Sequence, residues 1–279
     1  MTLDLERVRR VVKSALEEDL GAGDATSEAT VPDAARAKGV LLAKQELVLA
    51  GLEVARLVFE ALEPSVRFTP EGREGDRFFP DTVIATVQGR ARPLLSAERV
   101  ALNFLQRLGG VATLTRRFVD AVAGTPARIR DTRKTTPLLR FLEKHAVEVG
   151  GGVPHRGGLD GGILVKDNHV RLAGSVRQAT LRAVAGARGL PVEIEVDAPG
   201  QIEDAIEAGA QMILLDNFTP DEVRSAVEQV RGRVPLEASG GIRLDNVRAF
   251  AEAGVDFIAV GALTHSAPAA DISLEIEPV

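Results

Sequence analysis

Residues 131–136 read Asp-Thr-Arg-Lys-Thr-Thr, directly after a short β-rich run at 127–130. Adjacent Arg133 and Lys134 at a strand end, with hydroxyls such as Thr132 beside them, point to an anion. Two more cationic groups follow: His155-Arg156 inside the Gly-rich GGGVPHRGG (150–158), and Lys166 after the run 163–165. From 128 to 171 there are nine Lys or Arg against five Asp or Glu, an excess of +4 in a chain whose net charge is −6. A local reversal of charge in an acidic protein reads as a pocket for a polyanionic small molecule.

Further along, Glu195 and Asp216 end neighbouring strands. Carboxylates there can bind sugar hydroxyls, hold Mg²⁺ against a diphosphate, or simply pair with Lys134 or Lys166. Gly240-Gly241 after Ser239, and Gly261 after the next strand, offer backbone amides of the kind that bind phosphate at barrel strand ends. A tight turn is the plainer reading of either one alone. The four histidines (145, 155, 169, 265) show neither HxH nor HExxH spacing, which argues against zinc. No Gly-x-Ser-x-Gly elbow and no cysteine is present, so a serine-elbow hydrolase and a thiol nucleophile are both disfavoured.

These residues need a scaffold that brings strand ends together. From 127 onward, short apolar strands recur at 127–130, 162–165, 192–196, 212–215, 234–236 and 257–260. Helical patterns at 137–149, 175–187, 199–208, 220–230 and 245–253 separate them, with Pro137, Pro199 and Pro220 at first-turn positions. Alternating strands and helices imply a parallel sheet, and polar residues at its strand ends imply an α/β barrel with the site on that face. Residues 207–213 (EAGAQMI) echo 252–258 (EAGVDFI), as repeated βα units would. Residues 1–105 differ: helical patterns at 5–18 and 52–61 bracket β-rich runs at 37–49 and 78–87, so an α+β domain is expected there. A long apolar-periodic stretch at 97–123 links the two parts.

With 279 residues and 45% apolar content the chain can bury a full core, and it contains no Cys, Trp or Tyr. The first twenty residues form an amphipathic charged helix rather than a signal peptide, and no apolar run approaches 18 residues. A soluble, cytoplasmic protein is expected, with no membrane partner. Acidic charge without a basic tail argues against nucleic acid.

The motifs resemble those of the quinolinate phosphoribosyltransferase family. They are EDLGAGDATS (18–27), AERVALNFLQRLGGVATLT (97–115), DTRKTTP (131–137), EKHAVEVGGGVPHRGGL (143–159), KDNH (166–169), EIEVD (193–197), ILLDN (213–217), EASGGI (237–242) and GVDFIAVGALTHS (254–266). The resemblance implies an N-terminal α+β open sandwich (1–105), an α/β barrel of the type II phosphoribosyltransferase kind (106–270), and a tail (271–279) that returns to the first domain. It implies a reaction in which quinolinate and phosphoribosyl pyrophosphate give nicotinate mononucleotide, pyrophosphate and CO₂ in NAD biosynthesis, with Mg²⁺ and no organic cofactor.

By motif, Arg133, His155 and Arg156 would hold the quinolinate carboxylates, joined by Arg99 from a partner subunit. Lys134 and Lys166 would lie between dicarboxylate and diphosphate, with Thr132 beside them. Glu195 and Asp216 would serve ribose and Mg²⁺, and Ser239, Gly240, Gly241 and Gly261 the 5′-phosphate. The family further implies a homodimer with shared sites, alone or as a trimer of dimers. Leu138 stands where the family often has Gly, His145 replaces a usual Tyr, and Asp160 follows Gly-Leu one residue early. Competing readings are nicotinate phosphoribosyltransferase, a paralogue with another acceptor, and a non-catalytic barrel that binds a phosphorylated ligand.

Overall fold

The computed structural model describes residues 3–279. In chain order come α1 (Leu5–Leu20), α2 (Ala25–Thr30), β1 (Arg36–Ala43), β2 (Leu47–Val48), α3 (Leu52–Leu62), β3 (Arg67–Pro70), β4 (Arg77–Phe78), β5 (Val83–Arg90) and α4 (Ala91–Ala121). Then follow β6 (Arg128–Arg130), α5 (Arg140–Val149), β7 (Ile163–Val165), α6 (Asp167–Ala173), α7 (Val176–Ala185), β8 (Val192–Val196) and α8 (Gln201–Glu207). The chain closes with β9 (Met212–Asp216), α9 (Pro220–Val230), β10 (Leu236–Ser239), α10 (Val247–Glu252), β11 (Phe257–Ala259), α11 (Ala262–His265) and β12 (Ile272–Pro278). Among the described residues no helix is long and apolar enough to cross a membrane.

The chain divides into two compact units: Met1–Arg116 with Pro137–Gly151 and Ala267–Val279, and Arg117–Thr136 with Gly152–Ser266. In the first, an antiparallel sheet runs β12-β1-β5-β3, beside a small β2-β4 pair. Strand β1 alternates between buried and half-exposed positions, the period-two pattern of a sheet with one face covered. Helix α1 buries Val8, Val12 and Leu16, one stripe at helical spacing. Its start is capped by Asp4, which accepts from the Arg7 amide at 3.1 Å. The C-terminal strand β12 pairs with β1 along its length, Ala37 opposite Pro278 through Ala43 opposite Ile272.

This division departs from the expected one at 105/106. Residues 137–151 pack with the first unit because α5 is held there by charge and by close backbone approach. Arg107 donates to Glu143 from Nε at 3.0 Å and from Nη2 at 2.6 Å, and Glu143 is wholly buried. A Cβ on Gly150 would press into the Ala112 carbonyl and the Thr115 side chain. Helix α5 also starts later than the proline suggested. Leu138 has φ of 67°, a left-handed conformation that ends any helix begun at Pro137 and explains why glycine suits this position. Likewise α8 begins after Pro199, at Gln201, whereas Pro220 does open α9.

The second unit holds a parallel sheet in the order β6-β11-β10-β9-β8-β7, and Val153 bridges Arg130 in parallel fashion. The sheet is rolled. Laid flat, Val153 would lie five strand spacings from β8, about 24 Å at ~4.8 Å per strand. Yet His155, two residues after Val153, places Nε2 only 3.0 Å from Glu193 Oε2 on β8. Arg130 on β6 likewise reaches Glu237 on β10 at 2.6 Å. These contacts cross the interior of a barrel.

Glu143→Ala should destabilise the protein by about 3 kcal/mol, since it strands a half-buried guanidinium. Urea denaturation checks this, and a midpoint within error of wild type would refute the role given to the Arg107–Glu143 pair.

Candidate active site

A cavity of about 330 Å³ opens where the strands of the second unit end. Thr132, Arg133 and Lys134 follow β6, and His155 and Arg156 follow the Val153 bridge. Lys166 follows β7, Glu195 lies near the end of β8, Asp216 ends β9 and Ser239 ends β10; all line the cavity. The barrel thus gathers residues that are more than a hundred positions apart. Arg99 is not among them: it lies exposed on the part of α4 that belongs to the first unit.

The cations are arranged unequally. Lys166 Nζ is 3.4 Å from Glu195 Oε2, so one expected pairing is present in the folded chain. Arg133 and Arg156 have no such partner at Nε, although both Nε atoms are buried. Burial, and then the neighbouring charge of Arg133, disfavour the charged form of Arg156, while Glu193 opposes them. Arg156 is tied down by one bond, Nη1 to the Gly162 carbonyl at 2.7 Å. Two crowded guanidiniums with unsatisfied donors are built to receive carboxylates.

Asp216 is the counterpart. Burial raises its pKa above the ordinary value, and Lys166 and Lys134 pull it back. Asn217 steadies it with a 2.7 Å bond from Nδ2 to Asp216 Oδ2. Asn217 itself has φ of 58°, a conformation asparagine tolerates, and its amide donates to the Ser239 carbonyl at 2.8 Å. A Cβ on Gly240 would collide with Asn217, whereas one on Gly241 would meet nothing within 4 Å. Both glycines have positive φ, 97° and 60°. The phosphate-cradle candidates therefore form a real left-handed turn next to Asp216. Gly261 caps α11 on the neighbouring strand β11, and a Cβ there would come within 3.3 Å of Lys134 Cδ.

In the wall of the cavity, where His155 and Glu237 line it, lies a cluster that motif spacing did not reveal. His155, Glu193 and Glu237 bring ligand-type atoms within 4.8 Å of one another. The Arg130 guanidinium already supplies the positive charge there, at 2.6 Å from Glu237, so the group is an ion-pair network and not a cation site. Glu237 is fully buried; burial first, then Glu193, pushes its pKa up to about 7, against Arg130 and His155. Alternation along β8 and β10 gives the only sequence signal: glutamates at inward positions of apolar strands.

A second cavity, about 550 Å³, lies in the first unit between α1, α4 and 137–139. Two of its three arginines are engaged: Arg7 stacks on Phe141 at 4.1 Å, and Arg107 holds Glu143. It gathers none of the cation–carboxylate pairs of the smaller cavity.

Comparison with known proteins agrees with this geometry. The quinolinate phosphoribosyl transferase C-terminal domain matches residues 111–275, and the N-terminal domain of the same enzyme matches residues 24–109. The chain belongs to the quinolinate phosphoribosyltransferase family. It is 45% identical to the carboxylating nicotinate-nucleotide pyrophosphorylase of Mycobacterium leprae, over 98% of each chain. It is 37% identical to decarboxylating quinolinate phosphoribosyltransferase 1b of Nicotiana tabacum, over 97% of this chain and 82% of that one. The crystal structure of NadC from Streptococcus pyogenes superimposes with a TM-score of 0.96 at 37% identity, covering 100% of this chain and 99% of that chain. The two-domain architecture, an α+β domain and an α/β barrel, is therefore that of the family.

The raised pKa of Glu237 fixes a sign. A carboxyl that binds its proton more tightly when folded contributes stability that is complete below about pH 4.5. That contribution is lost as pH rises through about 7. Glu237→Gln removes the titration, so its unfolding free energy should gain on wild type as pH rises from 4.5 to 8. Parallel pH–stability curves for the two proteins would refute the assignment.

Proposed function

We propose that this chain transfers the phosphoribosyl group of phosphoribosyl pyrophosphate to quinolinate with decarboxylation, giving nicotinate mononucleotide, pyrophosphate and CO₂, in the cytoplasm. The observation that carries this reading is the pair Arg133–Arg156, whose buried Nε atoms lack partners in a cavity that also holds two lysines and two carboxylates. One guanidinium would suffice for a monocarboxylate, so the pair favours the diacid over nicotinate. Simple anion binding would not need Glu195 and Asp216, which disfavours a non-catalytic barrel.

The work of the site is positioning and charge stabilisation. Arg133 and Arg156 hold the two ring carboxylates and so aim the pyridine nitrogen at the ribose C1. Lys134 and Lys166 stand where they can stabilise negative charge on the departing diphosphate. Thr132 adds a hydroxyl beside them, since its Oγ1 already accepts from the Lys134 amide at 3.1 Å. Glu195 and Asp216 hold the ribose hydroxyls. Ser239 and the Gly240-Gly241 turn, with Gly261 beside it, cradle the 5′-phosphate through backbone amides. Once the ring nitrogen has become a pyridinium it stabilises the electron pair left on C2 when the adjacent carboxylate leaves as CO₂, and a proton from solvent then forms the C2–H bond. No covalent bond to the enzyme is required.

Glu195 and Asp216 also fit Mg²⁺: they are hard oxygen donors on paired neighbouring strands, and Asp216 carries a burial cost that a cation would offset. Bound there with the diphosphate, Mg²⁺ would neutralise charge on the leaving group. No organic cofactor enters this scheme.

We assign Arg99 to the acceptor carboxylates of a partner subunit in a two-fold homodimer with shared sites, alone or as a trimer of dimers.

Release of labelled CO₂ from carboxyl-labelled quinolinate, dependent on phosphoribosyl pyrophosphate, tests the reaction directly. In the same assay Arg156→Gln should raise the quinolinate KM at least ~10-fold, the scale of a lost charge-assisted bond, and shift the phosphoribosyl pyrophosphate KM far less. The reverse pattern would invert the division of the pocket. For the shared site, inactive Arg99→Ala and Lys134→Ala proteins are unfolded and refolded together. Mixed dimers should regain activity, because one of their two sites is intact. Silence from mixed dimers confirmed by mass spectrometry would place both residues on one chain.

A further inference from the structure

Past the end of β6 the chain leaves the sheet, yet Lys134 must still be held in place. The pairing of β6 with β11 stops at Arg130, opposite Ala259. Lys134 is exposed, so packing around its side chain does not fix it. Arg133 beside it differs, because its Nε is buried. The Lys134 amide donates to Thr132 Oγ1 at 3.1 Å, a bond inside the same segment. Helix α11 and its cap reach Lys134 from outside that segment, and they do so twice. Thr264 donates from Oγ1 to the Lys134 carbonyl at 2.7 Å. The lysine stem passes over Gly261, where a Cβ would come within 3.3 Å of Lys134 Cδ. The Thr264 hydroxyl also lies 3.3 Å from the Gly261 carbonyl, the usual back-bond of a threonine in its own helix. A hydroxyl has one proton to give, and the contact to Lys134 is much the shorter. Thr264 is fully buried and is not among the residues that line the cavity, so it is out of a substrate's reach.

We propose that Thr264 is a positioning residue for Lys134, its buried hydroxyl anchoring the main chain of the lysine to α11. The proposal rests on the reading that Lys134 stabilises negative charge on the departing diphosphate. Helix α11 follows β11, a strand paired on both sides, so the anchor itself is fixed. Its cap Gly261 belongs to the phosphate cradle, and its buried hydroxyl holds the lysine. One short element thus sets the distance between the 5′-phosphate end of the donor and the ammonium that meets its diphosphate. Without the bond, an exposed side chain on a segment outside the sheet would wander. Displacements of about 1 Å in such a group are enough to cost up to ~10²-fold in rate. The charge that Lys134 meets builds up in the transition state, so the loss should fall on kcat and not on KM. Arg133 keeps its place through its own burial, which leaves quinolinate binding largely intact.

The test compares two variants of the full chain. Thr264→Val keeps the shape of the side chain and removes the donor, whereas Thr264→Ser keeps the donor and removes a methyl group. The valine variant should lower kcat about 10-fold and leave both KM values within about threefold. Hydrogen–deuterium exchange of the same protein should be faster in the peptide that carries 132–136 and unchanged in those of β8 and β9. The serine variant should keep kcat within about twofold and exchange as wild type does, since its hydroxyl still donates. Full turnover in the valine variant, an equal loss in the serine variant, a loss confined to KM, or unchanged exchange at 132–136 overturns the proposal. Should the valine variant fail to fold, Thr264→Ala takes its place. If neither folds, the hydroxyl is a requirement of the fold and the proposal falls. The reading beneath it fails in a different way: near-wild-type turnover in Lys134→Ala would remove the lysine from the chemistry, whatever is seen at Thr264.

Discussion

Like charges must be stored close together here before any substrate arrives, and the second unit is organised around that constraint. Each cation near the cavity has its charge handled locally. Lys166 lies beside Glu195, Arg130 is sunk against Glu237, and Lys134 and Lys166 both act on Asp216. Arg133 and Arg156 differ: like Arg130, each has a buried Nε without a partner, but neither sits against a carboxylate as Arg130 does. Their mutual repulsion is sustained by the backbone around them, not cancelled by a carboxylate at those atoms. A protein can afford such a pair only on a stiff frame, and the parallel sheet provides one: β8, β9, β10 and β11 are each paired on both sides, and β6 pairs with β11 and with Val153.

Register does the remaining work. Ser239 pairs with Asp216 on one side and with Ala259 on the other, so the Gly240-Gly241 turn is set level with the carboxylate it adjoins. Asn217 links the two by bonding both Asp216 and the Ser239 carbonyl. A small left-handed knot of backbone therefore transmits the position of one strand end to the next.

Much of this could be read from residues. The strands after 127, their polar ends, the cationic reversal and the glycine pair are all local patterns, and local patterns survive in a sequence. Nine cavity-lining residues, from Thr132 to Ser239, are legible from motif, strand-end position and family resemblance together. What could not be read depends on three-dimensional closure. Glu193 and Glu237 look like ordinary glutamates in apolar strands until the sheet rolls and brings them to His155. The placement of α5 with the first unit follows from the buried Arg107–Glu143 pair and the close approach of Gly150 to Ala112 and Thr115, contacts with no marker in either segment. Some motif residues are structural: in GDATS, Asp24 caps α2 by accepting from Ser27 at 2.9 Å, and it also accepts from Ser96, whose Oγ lies 2.9 Å away. Hydrogen bonds from Ser27, the largest influence, hold that carboxyl below its usual pKa.

The two adjacent glycines beside Asp216 leave different room for evolution. Gly240 is closed to every side chain by Asn217, whereas Gly241 is excluded only by its backbone angle and faces open space. Asparagine and aspartate occupy that angle with little penalty. Descendants of this chain could therefore change residue 241 without moving the barrel. Asparagine would bring new donors to the rim and aspartate would bring repulsion, so a single codon separates a mouth that welcomes a phosphate ester from one that turns it away.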